Sequence, residues 1–509
     1  MKTKLRKIVL LLLIILTVTS CKNNDTVSTS NTIENNQSIE KTIKKKKIKP
    51  KRVIDDFLQL APIQNASVGI KVVNLDKNKV LYEKNQGISL VPASNMKLIT
   101  TGIALETLGK DYRFKTTITY DGVIQADGTL DGNIYIIGGG DPTLGSKYLV
   151  AKNPEKTITN AEKEKQLEFL TTWTEEVKEL GIKKINGKII ADPSYLPETT
   201  LSPTWEWGDL RYYFASHPSG LTFMDNNIRL TLKRNGNKIK AEISPKYSNT
   251  KITNKVVVDQ DEKTKITVVV VPYSNEIIIL GVLNKGTASY TTVMQDPAST
   301  LATLFSTTLK RSGVNNRGGE LRSIKNNIEK YEENQDMKEI YVNYSPKLEK
   351  IVALTNKYSI NLFAEHLKLE VEKKNSNKIK SLWAKNIDTD GMYIYDGSGL
   401  SRYDGVTPNN IVEILKYMYD SPEFDVFYNS LAKPGENGTF KEFDKDTILI
   451  DNLHAKSGTL TGVKSYGGYM YNKDGDLLAF SILVNHHGMS GKAIGKELEK
   501  VMESFYYLH

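Results

Sequence analysis

The sequence predicts an α+β fold that is interrupted by a large, mainly β insertion. Three observations support this prediction. Strand patterns lie near both ends of the chain after its first 52 residues, stretches with helical apolar spacing accompany them, and short alternating strands with Gly, Asn and Asp turns fill the region between. A chain of 509 residues exceeds what one hydrophobic core usually serves, so we expect two or three domains.

The first part of the folded region combines a hairpin with a helix. Residues 67–75 and 80–83 predict two strands joined by a tight turn. Ser94 then begins a stretch whose apolar residues recur at a helical period. Gly109 is expected to end that helix as its C-cap.

The middle of the chain has a different pattern. Short alternating segments, such as residues 228–232, 265–271 and 276–280, run from about residue 112 to about residue 338. Segments of this kind, separated by turn residues, predict a largely antiparallel β insertion.

The last part returns to helices and strands. Residues 346–372 predict mainly helix, residues 456–460 the start of a strand, and residues 466–471 and 477–485 a hairpin. A final helix carries an apolar stripe suited to packing on a sheet, formed by Ile494, Leu498, Val501, Phe505 and Leu508.

These patterns divide the chain into parts. We predict a signal peptide at residues 1–20, a flexible tether at 21–52, one domain split between 53–117 and 339–509, and one or more inserted β-rich domains at 118–338. The two halves of the split domain must therefore fold together across the insertion.

The N-terminus predicts export from the cell. Four basic residues precede an apolar stretch from residue 8 to residue 16, and small and polar residues follow up to Cys21. A transmembrane anchor, the alternative, would need about 18 apolar residues. The segment that ends at Cys21 resembles a bacterial lipobox, so we expect a lipid on Cys21 and a protein anchored in the cell envelope, facing the periplasm. A cysteine placed there by chance is the alternative reading.

The positive net charge belongs to the N-terminal segment. The chain has 69 Lys and Arg residues against 59 Asp and Glu residues, a formal net charge of +10. The first 52 residues hold 13 of the basic residues and three of the acidic ones, which leaves the remainder neutral. This distribution argues against a nucleic-acid-binding surface over the folded domains. The polar composition of residues 22–52 instead predicts a flexible spacer.

Three short motifs contain the residues that acyl transfer needs. Ser94 and Lys97 are three positions apart, so a helix places the amine beside the hydroxyl, as a nucleophile and its base require. Ser359 and Asn361 form a Ser-x-Asn pair, and residues 456–458 form the only Lys-[Ser/Thr]-Gly sequence in the chain. Motifs of these three kinds are typical of penicillin-recognising enzymes.

Chance matches must be weighed for the first motif, because lysine and serine are common in this chain. Ser-x-x-Lys also occurs at residues 38–41, 248–251 and 430–433. The first of these lies in the tether, the second in a polar loop, and the third runs into Pro-Gly, which a helix would not continue through. Only Ser94 begins an apolar helix.

With these motifs the chain resembles the class C penicillin-binding proteins, which are D-Ala-D-Ala carboxypeptidases and endopeptidases. The resemblance extends from residue 53 to the end of the chain and includes residues 138–144, 205–209, 225–227, 396–401 and 460–463. It implies a transpeptidase and β-lactamase-like domain, an antiparallel sheet flanked by helices, with extra domains between the first two motifs. Ser457, where the family more often has threonine, and Ile360, where Asp or Asn is common, depart from the pattern.

The resemblance and the chemistry of acyl transfer together imply catalytic roles. Ser94 would be the nucleophile, and Lys97 would be its base, held neutral by burial and by the positive charge of Lys456. Ser359 would relay a proton to the departing amine.

The same resemblance implies how substrate binds. Asn361 would hold the substrate amide, and Lys456 with Ser457 would bind the terminal carboxylate. The backbone N–H of Thr459, with that of Ser94, would stabilise the oxyanion.

Several weaker expectations remain. Gly458 would be small so that substrate can lie along its strand. Asp209 matches an acidic position of the family's inserted domain, where it could meet the free amine of a diaminopimelate side chain; a surface turn residue is the alternative. Residues 396–401 are expected to be a structural loop without a catalytic role. Trp205 and Trp207 are expected to pack in a core or at a domain interface.

The sequence therefore predicts a serine D,D-peptidase that removes terminal D-Ala from peptidoglycan stem peptides, cleaves D-Ala cross-links, or does both. β-Lactams are expected as further ligands, and no cofactor, metal or nucleic acid is implied. Two alternatives use the same fold. A β-lactamase-like hydrolase is disfavoured because no further deacylation base is evident near Ser359, and a non-catalytic wall-binding lipoprotein is disfavoured because the site residues are intact.

Overall fold

The structure is a computed structural model that describes residues 49–246, 250–321, 337–444 and 446–509. The predicted signal peptide, Cys21 and most of the predicted tether lie outside these residues. The first described helix, α1 (Pro50–Leu58), begins within the last three residues assigned to the tether. Among the described residues, no helix combines the length and the apolar character that crossing a membrane requires.

A five-stranded antiparallel sheet forms the centre of the split domain. Its order is β17-β18-β19-β1-β2, so the N-terminal hairpin joins the C-terminal strands through β1 and β19. Both hairpins predicted from the sequence are present. The strands are β1 (Ser67–Asn74), β2 (Lys79–Lys84), β17 (Leu453–Leu460), β18 (Val463–Tyr471) and β19 (Leu477–Asn485).

Helices cover both faces of this sheet, and β19 is buried at every position as a result. Alternate residues of a strand point to opposite faces. Ala479 and Leu483 accordingly join one core, and Phe480 and Ile482 join the other. The first core includes α2 (Met96–Leu108), α7 (Leu348–Tyr358), α8 (Asn361–Asn375) and α10 (Pro408–Asp420), and the second includes α1 and α12 (Gly491–Phe505).

The insertion begins and ends in one sheet, whose order is β15-β8-β6-β3-β16. The strands β3 (Lys115–Tyr120) and β16 (Lys338–Tyr344) pair antiparallel at one edge. This pairing places the ends of the insertion a few residues outside the limits of 118 and 338 that the sequence indicated. The other strands are β6 (Ile134–Ile137), β8 (Ile189–Asp192) and β15 (Gly319–Leu321).

This sheet is mixed, which differs from the largely antiparallel insertion that the sequence predicted. The strand β8 runs parallel to both β6 and β15. Parallel neighbours need a long crossover, and the helices α5 (Glu168–Glu179) and α6 (Pro297–Arg311) lie in these two connections. Trp173 of α5 and Phe305 of α6 pack edge to face with ring centroids 5.5 Å apart, which ties both crossovers into one core.

A second part of the insertion consists of two three-stranded sheets, ordered β10-β9-β14 and β11-β13-β12. Leu230 and Ile277, one from each sheet, share a core with the mixed sheet. The strands are β9 (Asn227–Asn235), β10 (Lys238–Ser244), β11 (Lys251–Val257), β12 (Lys265–Val270), β13 (Glu276–Val282) and β14 (Thr287–Val293).

Short elements complete the described chain. They are α3 (Lys147–Val150), α4 (Asn160–Gln166), α9 (Ile379–Trp383), α11 (Phe424–Ser430), β4 (Val123–Ile124), β5 (Thr129–Asp131) and β7 (Lys184–Ile185).

Candidate active site

Ser94 lies at the entrance to α2, in a 3-10 turn (Ala93–Asn95) that runs directly into the helix. Ala93 is fully buried with φ of 47°, a left-handed conformation that is uncommon for a residue with a side chain. Lys97 follows one helical turn later, and its Nζ lies 3.1 Å from Ser94 Oγ. The spacing of the first motif therefore does bring the amine to the hydroxyl.

The Lys97 amine is fully buried and has three neighbours within hydrogen-bond distance. Besides Ser94, it donates to Asn361 Oδ1 at 2.6 Å and to the Ser398 carbonyl at 2.7 Å. Burial lowers the pKa of Lys97 to about 7, against the opposing attraction of nearby carboxylates. A large share of the amine is therefore neutral near pH 7 and able to accept a proton.

Ser359 and Asn361 occupy a break in the helix predicted across residues 346–372. Ser359 has left-handed dihedrals (φ 57°, ψ 45°) and ends α7, while Asn361 begins α8. The break directs both side chains to the same site. Ser359 Oγ accepts a hydrogen bond from Lys456 Nζ at 2.9 Å, and Asn361 Nδ2 donates to the Phe214 carbonyl of the insertion at 2.9 Å.

Lys456 is also fully buried, and its Nζ further donates to its neighbour's carbonyl, Ser457 O, at 2.7 Å. The pKa of Lys456 is lowered well below its ordinary value, mainly by burial and further by the nearby Lys97. The sequence-based expectation that a charged Lys456 keeps Lys97 neutral is therefore incomplete. Desolvation acts on both amines, and in the free site each disfavours a proton on the other.

The strand β17 passes directly against the turn that holds Ser94, and Gly458 makes this approach possible. A Cβ at Gly458 would lie 2.2 Å from Ser465 Oγ, 2.7 Å from Pro92 O and 2.9 Å from Ser94 N. The glycine is thus required by packing of the strand on the turn that holds Ser94. This reason differs from the expected one, room for substrate along the strand.

The remaining residues of the third motif lie at the end of β17. Ser457 is buried, whereas Thr459 is exposed and its Oγ1 accepts a hydrogen bond from Lys464 Nζ at 2.8 Å. The exposed end of the strand leads out of the buried part of the site.

One wall of the site comes from the insertion. Trp205 and Leu210 of the insertion pack with Leu400 of the split domain in a small apolar cluster. Trp205 is therefore an interface residue as expected, but the expectation fails for Trp207, which is 64% exposed. Asp209 lies in the same segment and is partly buried, which raises its pKa.

Arg402 is the positive charge that most favours the ionised form of Asp209. Arg402 forms an ion pair with Glu206 and donates from Nη1 to Thr461 O at 3.1 Å. These contacts place the insertion segment beside the end of β17 and its turn.

Sequence reasoning missed one carbonyl group and three carboxyl groups that lie near the Lys97 amine. Residues 396–401 were expected to be a structural loop, yet the Ser398 carbonyl contacts the Lys97 amine. Three carboxyl groups, on Asp396, Glu365 and Asp404, favour the charged form of Lys97 when they are ionised. Only Glu365 had a local signal, because it lies four residues after Asn361 on the same helical face.

Comparison with known proteins identifies a family and relatives that match most of the chain. The model of the D-Ala-D-Ala carboxypeptidase 3 (S13) family matches residues 51–505. A D-alanyl-D-alanine carboxypeptidase from Actinomadura sp. (strain R39) is 26% identical over 461 residues, which cover 85% of this chain and 80% of that protein. The D-alanyl-D-alanine carboxypeptidase DacB from Haemophilus influenzae is 25% identical over 451 residues, which cover 85% of this chain and 88% of that protein.

The fold has a counterpart among solved structures. The crystal structure of penicillin binding protein 4 (dacB) from Haemophilus influenzae superposes with a TM-score of 0.75 at 24% identity, covering 91% of this chain and all of its own. The α+β fold with its insertion, predicted from the sequence, is confirmed.

Fold and site together define a serine acyl-transfer enzyme of the penicillin-recognising class. The chain belongs to the D-Ala-D-Ala carboxypeptidase 3 (S13) family. It is a serine-type D,D-peptidase of peptidoglycan, as its sequence predicted.

Proposed function

We propose that Ser94 is the nucleophile of this D,D-peptidase and that Lys97 is its general base. The observation that supports this assignment most directly is the 3.1 Å contact between Lys97 Nζ and Ser94 Oγ, made by an amine whose pKa burial lowers to about 7. A base is most effective when its pKa lies near the working pH.

In the first step, Lys97 takes the hydroxyl proton as Ser94 Oγ attacks the carbonyl carbon of the penultimate D-Ala. The new C–O bond gives a tetrahedral oxyanion. Backbone N–H groups of Ser94 and Thr459 would donate to that oxygen, each worth about 3 to 4 kcal/mol of barrier. The close packing of β17 on the Ser94 turn supports this pairing of donors.

In the second step, the C–N bond breaks and the leaving amine gains a proton. We assign its delivery to Ser359, whose Oγ is hydrogen-bonded to Lys456 Nζ. Ser359 would give its hydroxyl proton to the amine and regain the proton that Lys97 took from Ser94, so that Lys97 is neutral again before hydrolysis. A water molecule then attacks the acyl-enzyme, its proton passes to the base, and the shortened peptide leaves as a carboxylate. Ser94 regains its hydroxyl.

Lys456 and Ser457 would bind the terminal carboxylate of the substrate. Burial and Lys97 lower the pKa of Lys456, so the ammonium form of Lys456 is less favoured in the free site than it would be in water. An incoming carboxylate reverses this balance, since an opposite charge at close range favours the ammonium form. Substrate binding would thus charge Lys456 and, by repulsion, keep Lys97 neutral. The expected effect of Lys456 on Lys97 would then be stronger in the complex than in the free site.

Asn361 and Asp209 would contact other parts of the peptide. The amide nitrogen of Asn361 has two N–H groups, and one of them donates to Phe214 O. The second remains for a substrate carbonyl. Asp209 is partly exposed on the insertion side of the site and would pair with a side-chain amine of the stem peptide.

We further propose that the same site accepts both terminal D-Ala-D-Ala and D-Ala cross-links, so that carboxypeptidase and endopeptidase activities coexist. β-Lactams would acylate Ser94 as substrate analogues. A lipid on Cys21 and a tether would hold the enzyme at the membrane surface of the cell envelope, facing the periplasm and within reach of the wall. The signal-like N-terminus and its single cysteine support this part of the proposal.

Covalent labelling tests the central assignment. Ser94→Ala should abolish labelling by a fluorescent penicillin and release of D-Ala from a pentapeptide, while the protein unfolds at the same temperature as the parent. Labelling of the Ser94→Ala variant at the parent rate would overturn the assignment. Purified cross-linked muropeptides would show in the same experiment whether cross-link cleavage is lost with it.

A further inference from the structure

The carboxylate of Asp396 is the centre of a loop beside the active site. The side chain is 1% exposed, and both of its oxygens accept hydrogen bonds. Oδ1 accepts from Ser398 N at 3.1 Å and Gly399 N at 2.6 Å, and Oδ2 accepts from Ser401 N at 2.7 Å. Three backbone N–H groups therefore fold around one buried charge.

This folding determines where the Ser398 carbonyl lies. With its N–H turned to Asp396, Ser398 presents its carbonyl oxygen 2.7 Å from Lys97 Nζ. The adjoining Gly399 has φ of 80°, and a Cβ there would lie 1.8 Å from Ala93 O. The loop is consequently packed against the turn that holds the nucleophile.

The fourth donor to Asp396 comes from the insertion. Trp205 Nε1 donates to Asp396 Oδ2 at 2.7 Å, and the neighbouring Thr204 Oγ1 donates to Ser401 Oγ at 2.7 Å. Trp205 is 7% exposed and packs with Leu400 of the loop. The insertion is thus joined to the loop by hydrogen bonds as well as by apolar packing.

We propose that Asp396 is a positioning residue for Lys97, and that Trp205 makes the inserted domain a structural partner in that task. The proposal rests on the role of Lys97 as the base. Asp396 acts on it in two ways: by holding the Ser398 carbonyl against the amine, and by the field of its own charge.

Four ionisable groups face Lys97, and their charges decide the direction of each effect. They are Asp396 and Asp404 of the loop, Glu365 of α8 and Lys456 of β17. Burial and the nearby Asp396 raise the pKa of Asp404 well above its ordinary value, so a proton shared by the pair is held more readily by Asp404. Among the described residues no donor faces Asp404 Oδ2, and a proton on that oxygen lets it bond to Asp396.

Asp396 is the charged member of the pair, because four N–H groups donate to it. Its negative charge raises the pKa of Lys97 and partly offsets the effect of burial. The pH at which acylation begins to fall should therefore respond to Asp396 and to the groups that donate to it.

The acid limb of the pH profile is the range in which the acylation rate falls as the pH is lowered. Two substitutions should move this limb in opposite directions. Asp396→Asn removes the charge, so the limb should move to lower pH, while the maximal acylation rate falls by about ten- to one hundredfold as the loop loses its shape. Trp205→Phe removes one N–H donor and leaves the charge, because three backbone donors remain. The field at Lys97 then strengthens, and the limb should move to higher pH by roughly half a unit.

The measurement is the second-order rate constant of acylation by a fluorescent penicillin between pH 5 and pH 9, together with the unfolding temperature. Trp383→Phe is the matched control, because Trp383 is a buried indole that donates to Ile99 O in the helix of Lys97, at 3.1 Å. It should lower stability and leave the acid limb where it is. Asp404→Asn should also leave the limb in place, since an amide can donate to Asp396 as the neutral acid does.

Several outcomes would overturn the proposal. The loop would be only structural if the acid limb lay at the same pH in the parent and in Trp205→Phe. The same conclusion would follow if Asp396→Asn and Trp205→Phe shifted the limb in the same direction. If Asp404→Asn shifted the limb as much as Asp396→Asn does, the negative charge that acts on Lys97 would have to be assigned to Asp404. If Asp396→Asn does not fold, the pH profiles of Trp205→Phe and Asp404→Asn still test the proposal. Failure of the base assignment itself is recognised separately, by a pH profile without any limb near 7 in the parent.

Discussion

The two sides of the candidate active site differ in how far their side chains are exposed to solvent. On the split-domain side, Lys97 and Lys456 are completely buried and each is fixed by at least two hydrogen bonds. On the insertion side, Trp207 is 64% exposed, and Tyr212 and Tyr213 are 40% and 49% exposed. Proton transfer needs desolvated groups in fixed geometry, whereas a long polymeric substrate needs an accessible surface. This contrast fits our proposal that the split domain carries the reaction chemistry and that the insertion contributes to substrate recognition.

Removing the base should have the largest effect. Lys97→Met keeps an apolar chain of similar length but cannot accept a proton, so we expect acylation by penicillin to fall about a thousandfold. The rate of covalent labelling measures this. Lys71→Met is a suitable control, because Lys71 is a largely buried lysine of the central sheet, in β1, that pairs with Glu413 instead. If the acylation rate of Lys97→Met were within a few fold of the parent rate, the proposal that the split domain carries the reaction chemistry would be contradicted.

Adding one methyl group to β17 should have the next largest effect. Gly458→Ala forces a Cβ to within 2.2 Å of Ser465 Oγ and 2.7 Å of Pro92 O, so the strand must move away from the Ser94 turn. A displacement of this size is expected to reduce acylation about a hundredfold. Gly87→Ala provides the control, because nothing lies within 4 Å of its Cβ. Equal acylation by the two variants would show that the close approach is not needed.

The pH dependence should follow the buried amine. Burial lowers the pKa of Lys97 to about 7, so the neutral form that accepts the proton is lost as the pH falls through that value. Between pH 8 and pH 6 the neutral fraction declines about tenfold, and the acylation rate should decline with it. A rate that rises toward acid pH would contradict the role of Lys97. The measurement requires protein that remains folded across this range, which circular dichroism at each pH establishes.

A substitution on the insertion side should have a smaller and more selective effect. Asp209→Asn removes one partly exposed charge, and we expect about a tenfold loss of kcat/KM for stem peptides with a free side-chain amine. Peptides whose amine is acetylated, and penicillin itself, should react as with the parent. Kinetics of D-Ala release on the paired peptides gives the comparison. An equal loss on both peptides would place Asp209 in the chemistry, and no loss on either would leave it a surface residue.

Much of this arrangement was predictable because it depends on local patterns. The three motifs, both hairpins of the central sheet and the helix after Ser94 follow from short-range periodicity and turn residues. The insertion was predictable as a region rich in strands. Its parallel pairs were not, because the partners β6, β8 and β15 are distant in the sequence and the choice of neighbour depends on how α5 and α6 cross the sheet.

The helix break at Ser359 was missed for a related reason. Residues 346–372 have continuous helical character in the sequence, and serine has no strong preference for the left-handed conformation that it adopts here. The left-handed residue separates α7 from α8, and both helices pack in the same core. The same break directs Ser359 toward Lys456 and Asn361 toward Lys97.

The sequence by itself determined which reactive groups this protein has and on which elements they lie, since spacing along a helix or strand decides that locally. The tertiary structure alone decided how strongly those groups are perturbed. Lys97 meets Asn361 and the Ser398 carbonyl across 264 and 301 positions of the chain. Such contacts leave no periodic trace, and neither does the desolvation that brings the pKa of Lys97 to about 7, because burial is a property of the assembled core and not of any segment within it.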